Sequence, residues 1–330
     1  MPPPKVTIII PNWNTRRWLP GCLDGLRAQH FRDFQIILVD NGSTDDSVAY
    51  VQQHYPEVEI IYHAKNQGFA AAVNAGIKRA DSEYIVLLNP DTLPRPDWLA
   101  RLVEQIEESP IEVAGLSSKM LSLSEPGLID DAGDTFSWYG SARKRGAGQP
   151  AENYTQVEEV FSPCAGAALY RRSFLEEVGE FDEGFGSYLE DVDLGLRGRL
   201  LGYRYLFAPE AQILHKSHGA GIGRSRYVFL MTRNRLCLLV KNIPLALLVK
   251  RSRPLIYGQF YFFLVYKRPL HSLAGTFSFF IHLPHVLQQR RAIQSHKRIS
   301  NHALELMLSN DLGEPALKAI LRSKLRLSLR

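Results

Sequence analysis

Cysteine is scarce in this chain of 330 residues. Its three cysteines, Cys22, Cys164 and Cys237, lie far apart and form no Cys-x-x-Cys pair. That excludes the pattern of a disulfide framework or a zinc site and fits a reducing, cytosolic setting. A secretory signal is also missing. Met1 and three prolines lead directly into an apolar strand, without a basic segment, a long apolar stretch or a small-residue cleavage site, so export is not expected. No apolar run reaches the roughly 20 residues of a membrane span. Acids are nearly absent from one part of the chain. From His215 to Arg330 there are 3 Asp and Glu against 20 Lys and Arg, whereas residues 1–214 hold 31 acids and 19 bases. The net charge of +5 therefore conceals an acidic body with a basic tail.

What is present is enough for a packed protein. At 45% hydrophobic residues the composition is not that of a disordered chain, and this length can bury one large core or two smaller ones. Short β-branched apolar runs at Val6–Ile10, Ile36–Val39, Val58–Tyr62 and Tyr84–Leu88 read as strands. Between them, Trp18, Leu19, Cys22, Leu23 and Leu26 recur at helical spacing, and Ala70–Ala80 reads as a small-residue helix opened by Gly68. This β-α-β rhythm predicts a doubly wound, mainly parallel sheet, whose ligand site lies beyond the carboxyl ends of the strands. The segments there, Pro11–Asn14, Asp40–Asp45, Lys65–Gly68 and Asn89–Thr92, are all polar or turn-forming. From Leu121 to Val160 the pattern weakens to an expected irregular loop region near the crevice mouth. Order returns with a strand at Ala167–Tyr170, a helix at Arg172–Val178 and another at Glu190–Leu201, with Val192, Leu196 and Leu200 on one face.

Beyond Tyr227 the apolar runs Ile243–Val249, Leu255–Val265 and Leu273–Leu283 are bounded by Lys250, Arg251, Arg253, Lys267, Arg268, Arg290 and Arg291. Short helices of this kind, rich in Phe and Tyr, match interfacial attachment to an anionic membrane surface. A buried helical subdomain with a solvated basic surface is the other reading. Nucleic acid is not expected, because such a partner needs exposed basic and aromatic residues without long apolar runs.

Four ordered segments, "VTIIIPNWN" (6–14), "IILVDNGSTDDS" (36–47), "NQGFAAAVNAG" (66–76) and "YIVLLNPDT" (84–92), carry the sharpest signal. Their order and spacing resemble the inverting family-2 glycosyltransferases of GT-A fold, and within them the bacterial rhamnosyltransferase-like branch. The likeness continues through "CAGAALYRRSFLEEVGEFDEGFGSYLEDVDLGLRGRLLGYR" (164–204) and covers about two-thirds of the chain. It implies an α/β GT-A domain over residues 1–222, and the apolar runs and bases beyond it make 223–330 a helical, basic region expected to associate with a membrane. It also implies transfer of a sugar from a UDP- or dTDP-sugar to a cell-surface glycan or lipid-linked acceptor. Such an enzyme would sit on the cytoplasmic face of the inner or plasma membrane, peripheral or monotopic.

The resemblance assigns Asp40 to the donor's base, with Pro11, Asn12 and Asn14 beside it, and places Asn41, Asn66, Gly68 and Asn74 with the nucleotide. A carboxylate at a strand end can accept from an imide N–H, and the Asn-Gly-Ser turn after it lets the backbone approach closely. Asp before Asn-Gly is equally a common turn residue. Asp91 stands at the place of the metal-binding Asp-x-Asp motif, whose first acid is here Asn89. A hard carboxylate oxygen suits Mg2+ or Mn2+ bridging two phosphates. His215, at the end of a predicted strand, is the expected second metal ligand, with His218 as its rival and a backbone-satisfied buried histidine as the plain alternative.

Asp191 is the expected catalytic base, at the start of a helix whose free amides stabilise its charge. The resemblance aligns it with the family's Glu-Asp pair. Glu190 is expected to orient acceptor hydroxyls, and Asp193 to be a first-turn charge. The stretch "HGAGIGRSR" matches no phosphate-cradle fingerprint and reads as a flexible loop. Arg224 and Arg226 are candidates for the diphosphate. Arg233 and Arg235 are candidates for the phosphates of a lipid-linked acceptor, with surface solvation explaining them equally well. Two other functions remain to be separated. A sugar-phosphate nucleotidyltransferase would need a Gly-rich loop after the first strand, whereas "PNWNTRRW" has no glycine. A non-catalytic nucleotide-sugar or glycan-binding protein would bind nucleotide and release none.

Overall fold

The computed structural model describes residues 2–217, 222–313, 315 and 317. The first half alternates strand and helix: β1 (Val6–Asn12), α1 (Leu19–Arg27), β2 (Phe34–Asp40), α2 (Ser47–His54), β3 (Glu59–Tyr62), α3 (Phe69–Arg79) and β4 (Tyr84–Leu88). After these come β5 (Thr92–Pro94), α4 (Trp98–Glu108), β6 (Val113–Ser122), and the short strands β7 (Ile129–Asp131), β8 (Asp134–Phe136), β9 (Ala142–Lys144) and β10 (Glu158–Val160). The body closes with β11 (Ala167–Arg171), α5 (Arg172–Val178), α6 (Glu190–Leu201) and β12 (Arg204–His215).

The main sheet runs β10-β12-β6-β11-β4-β1-β2-β3. Pairing is parallel from β3 through β4 and between β6 and β12, while β11 runs antiparallel between β4 and β6. The strand β1 shows why the centre is parallel: it is apolar on both faces, and successive residues feed opposite cores. Val6, Ile8 and Ile10 pack with α1, α2 and α4, and Ile9 with α3. The small residues of α3 bring it close to the sheet. A Cβ added at Gly76 would lie 2.5 Å from the Ile9 side chain.

The stretch from Leu121 to Val160 is not irregular throughout. It holds four three-residue strands, and Trp138 within it is fully buried. Three residues are too few to show a strand period. The remaining helices, α7 (Arg224–Asn242), α8 (Leu245–Lys250), α9 (Ser252–Val265), α10 (Pro269–His296) and α11 (Asn301–Met307), follow β12. They share a core with Phe136, Trp138 and the Val192, Leu196, Leu200 face of α6. Among the described residues, no helix is long and apolar enough to cross a membrane.

Candidate functional site

The carboxyl ends of β1, β2 and β4 open onto a crevice of about 780 Å³ whose wall includes Pro11, Asn12, Asn41, Asn66, Gly68, Asn89 and Asp91. Glu190, Asp191, His215 and Arg226 also line it. The crevice lies where strand order reverses between β1 and β4, as sheet topology requires.

Asp40 lies one layer behind the wall. Its Oδ1 accepts from Asn12 Nδ2 at 2.8 Å and its Oδ2 from the Ser43 amide at 3.1 Å. Asn14, expected beside the nucleotide, is off the wall. Its Oδ1 accepts from the amides of Thr44 and Asp45 and so shapes the loop after β2. Asn41 ties that loop to the next, donating to Gly68 O at 2.9 Å and accepting from the Gln67 amide at 3.0 Å. Gly68 is required by its φ of 96° and by the 2.6 Å that a Cβ would leave to Gly186 O. Asn74 is a correction: its amide is spent on Phe181 O at 2.8 Å and Glu183 at 3.0 Å, joining α3 to the turn before α6, away from the crevice.

His215 and Asp91 meet. His215 Nε2 is 3.5 Å from Asp91 Oδ1, and both side chains are about 8% exposed. On the other ring nitrogen, Nδ1 is 2.6 Å from Asp130 Oδ2. Asp130 is itself paired with Lys144 at 2.7 Å. Burial alone would lower the His215 pKa, but the hydrogen bonds and charges of Asp130 and Asp91 raise it to about 9. Burial would raise Asp130, yet His215 and Lys144 hold it well below the usual carboxylate range. A carboxylate on Nδ1 fixes the ring and leaves Nε2 toward Asp91, a donor set that fits a hard divalent cation. His218 and the start of the Gly-rich stretch lie outside the described residues.

The acids of α6 are aimed by a strained turn. Tyr188 and Leu189 have φ of 72° and 68°, and Gly186 of 69°. Left-handed backbone at non-glycine residues persists only where the surroundings impose it. Here the fully buried Asn234 of α7 imposes it, its Nδ2 lying 3.0, 2.9 and 2.8 Å from the carbonyls of Phe185, Ser187 and Tyr188. Asp191 then accepts from the Val192 amide at 2.8 Å and the Ala165 amide at 3.3 Å. Burial raises its pKa against these bonds. Burial, then the Asp191 charge, push Glu190 well above its ordinary value, and its Oε2 has no hydrogen-bond partner among the described residues.

Three further findings correct the sequence reading. Asp193 is more than a first-turn charge: it is fully buried, with Lys241 Nζ at 2.7 Å, Arg197 Nε at 3.0 Å and Asn242 Nδ2 at 2.7 Å, and so locks α6 to α7. Arg233 donates to Phe185 O at 2.7 Å, and Arg235 is buried with Gly140 O and the Tyr266 hydroxyl as acceptors. Neither they nor the exposed Arg224 line the crevice. Asp131, Asp134 and Cys164, which do line it, bring one donor atom each within 4.8 Å of one another. Burial pushes Asp131 up to about 6 and Asp134 well above the carboxylate range. The acid-rich run "IDDAGD" at 129–134 was the available signal for this group and for Asp130.

The fold and the crevice define a glycosyltransferase of GT-A type. Residues 7–179, slightly more than half the chain, match the family model Glycosyl transferase family 2, and the chain belongs to that family. The N-acetylglucosaminyl-diphospho-decaprenol L-rhamnosyltransferase of Mycobacterium tuberculosis is 27% identical over 236 residues, spanning 62% of this chain and 76% of that protein. Among solved structures, GalNAc-T7 with UDP, GalNAc and Mn2+ matches with a TM-score of 0.60 at 16% identity, over 72% of this chain and 48% of its own. A mannosyltransferase of Pyrobaculum calidifontis in complex with GDP-Man and Mn2+ matches with a TM-score of 0.53 at 17% identity, over 100% of this chain and 82% of its own. At these identities the structural likeness is one of fold.

Proposed function

We propose that this glycosyltransferase is an inverting enzyme that moves a hexose, with rhamnose the first to test, from a UDP- or dTDP-sugar to a lipid-linked or cell-surface glycan. The observation that carries the reading is the shared crevice, in which the Asp91–His215 pair and Asp191 both face one volume large enough for a nucleotide sugar. Pro11, Asn12, Asn41, Asn66 and Gly68 form the base and ribose side, with Asp40 buttressing Asn12. Asp91 and His215 would hold Mg2+ or Mn2+, which neutralises charge on the departing diphosphate when bound. Asp191 takes the proton from the acceptor hydroxyl as that oxygen bonds to the anomeric carbon, on the face opposite the breaking bond to the diphosphate. Glu190 orients the acceptor, and Arg226, like Arg143, is a crevice arginine available to phosphate.

The relative of Mycobacterium tuberculosis carries a rhamnosyl-transferring, diphospho-decaprenol-directed name, which supports a lipid-linked acceptor here. Such an acceptor would place the reaction at a membrane surface, and we take its cytoplasmic face. The two-part division at 222 and 223 belongs to the same proposal. The test is a screen of nucleotide sugars for nucleotide release, with and without Mn2+ and with a polyprenyl-diphosphate glycan acceptor. Release that needs cation and acceptor is expected, and Asp91→Ala should weaken donor binding. Binding with no release for any donor-acceptor pair would overturn the proposal in favour of a non-catalytic binder.

A further inference from the structure

The helices after α7 bury one apolar stripe and expose a second. On α10, Leu270, Leu273, Phe277, Phe280 and Ile281 expose 56–76% of their surface. They fall within an arc of about 100° at 100° per residue. The buried Ser272, Gly275, Phe279 and Val286 occupy the opposite side. Gly275 permits that side to approach α7, because a Cβ there would lie 2.6 Å from Phe229 O. On α9, Ile256, Phe260 and Leu264 form an outward stripe at i, i+4, i+8, while Leu255, Gly258, Tyr261 and Phe262 face inward. Leu245 and Val249 of α8 are 67% and 68% exposed. A helix that is apolar on its solvent side lacks the partner its composition calls for.

Charge selects the partner. No Asp or Glu occurs between Glu210 and Glu305, so no acid of this stretch faces the stripes. The exposed Lys267 and Arg268 sit between the stripes of α9 and α10, with Arg253 and Arg291 also exposed. Apolar side chains rimmed by bases, without acids, fit an anionic bilayer surface. A second copy would bring two basic rims together with no acid to meet either.

We infer that the outward stripes of α8, α9 and α10 are an in-plane docking face for an anionic lipid bilayer, with Phe260, Phe277 and Ile281 inserted. This deepens the proposed lipid-linked acceptor, on which its functional meaning rests. Because α10 packs on α7, and α7 carries Arg226 and Tyr227 on the crevice wall, docking ties the crevice to the headgroup layer.

The test uses the full chain with Phe260→Ser, Phe277→Ser and Ile281→Ser combined, since truncation would strip the core shared with Trp138. Sedimentation with phosphatidylglycerol vesicles should show binding by the parent protein and a roughly tenfold or greater loss in the variant. Phosphatidylcholine vesicles should bind both poorly. Transfer to a short-chain soluble acceptor should be equal in the two proteins, while transfer to a vesicle-borne long-chain acceptor should fall in the variant. An unchanged melting temperature reports an intact fold. Equal vesicle binding by both proteins, binding indifferent to lipid charge, or a dimer that the substitutions dissolve would each overturn the inference. If neither protein releases nucleotide with any acceptor, the transferase proposal fails and the vesicle result stands by itself.

Discussion

Replacing Asn234 by alanine removes the donor that holds the turn ahead of Glu190 and Asp191, the proposed catalytic acids. Its amide has two protons for three carbonyls, those of Phe185, Ser187 and Tyr188, and Phe185 O keeps Arg233 as a second donor. The loss therefore falls on two buried carbonyls, about 2 kcal/mol at roughly 1 kcal/mol for each hydrogen bond. Against this stands the strain of two non-glycine residues in left-handed conformation, Tyr188 and Leu189, at about 1–2 kcal/mol each. Clamp and strain are comparable, so the turn should relax while the protein stays folded. A displacement of about 1 Å at Glu190 and Asp191 is enough to lower kcat by about 100-fold. Steady-state kinetics with varied donor should show that fall in kcat with donor KM within roughly threefold, alongside a stability loss below about 2 kcal/mol in urea unfolding, because the released strain offsets part of the lost hydrogen bonds. An Asn234→Ala protein that is destabilised yet turns over normally would refute the reasoning. So would one whose donor affinity falls in step with kcat.

Other outcomes follow from the same geometry. Lys241→Met should cost about 3 kcal/mol of stability, because it leaves Asp182 buried without a cation and Asp193 with Arg197 as its remaining one, and an unchanged denaturation midpoint would argue against the lock between α6 and α7. Burial raises the pKa of Asp191, so the proposed base holds its proton above the ordinary aspartate value of about 3.9; kcat/KM should fall as pH drops through that raised value, and a profile flat down to pH about 4 would contradict the assignment. Asp130→Asn removes the charge that orients His215 Nδ1, and Mn2+ titration should show affinity reduced by about 10–100-fold; equal affinity would place the cation elsewhere.

Local periodicity made part of this molecule legible. Arg172–Val178 and Glu190–Leu201 form helices with the expected bounds, since each has an apolar face at helical spacing. The four strand-end segments could be read because parallel strands are apolar runs cut by polar turns, and topology sends those turns to one edge. What could not be read depends on partners remote in sequence. Asp193 and Asp191 look alike two positions apart, yet Asp193 is claimed by Lys241 and Asn242, 48 and 49 residues onward. Asn74 stands in a segment that resembles a nucleotide contact but is consumed by Phe181 and Glu183, 107 and 109 residues away. The strands that carry Asp130, Asp131 and Asp134 are three residues long and show no period, so the acid beneath His215 stayed hidden. Asn234 is one polar residue in a helix, and only the fold reveals the strained turn it holds.

The central claim is that one crevice holds a donor site independent of the base. Asp191→Asn tests it most directly, with donor affinity measured by titration calorimetry in Mn2+ and transfer measured on the same preparation. The account predicts donor affinity within roughly threefold of the parent protein and transfer lower by about 100- to 10,000-fold. Transfer at the parent rate, or loss of donor binding together with transfer, would contradict it.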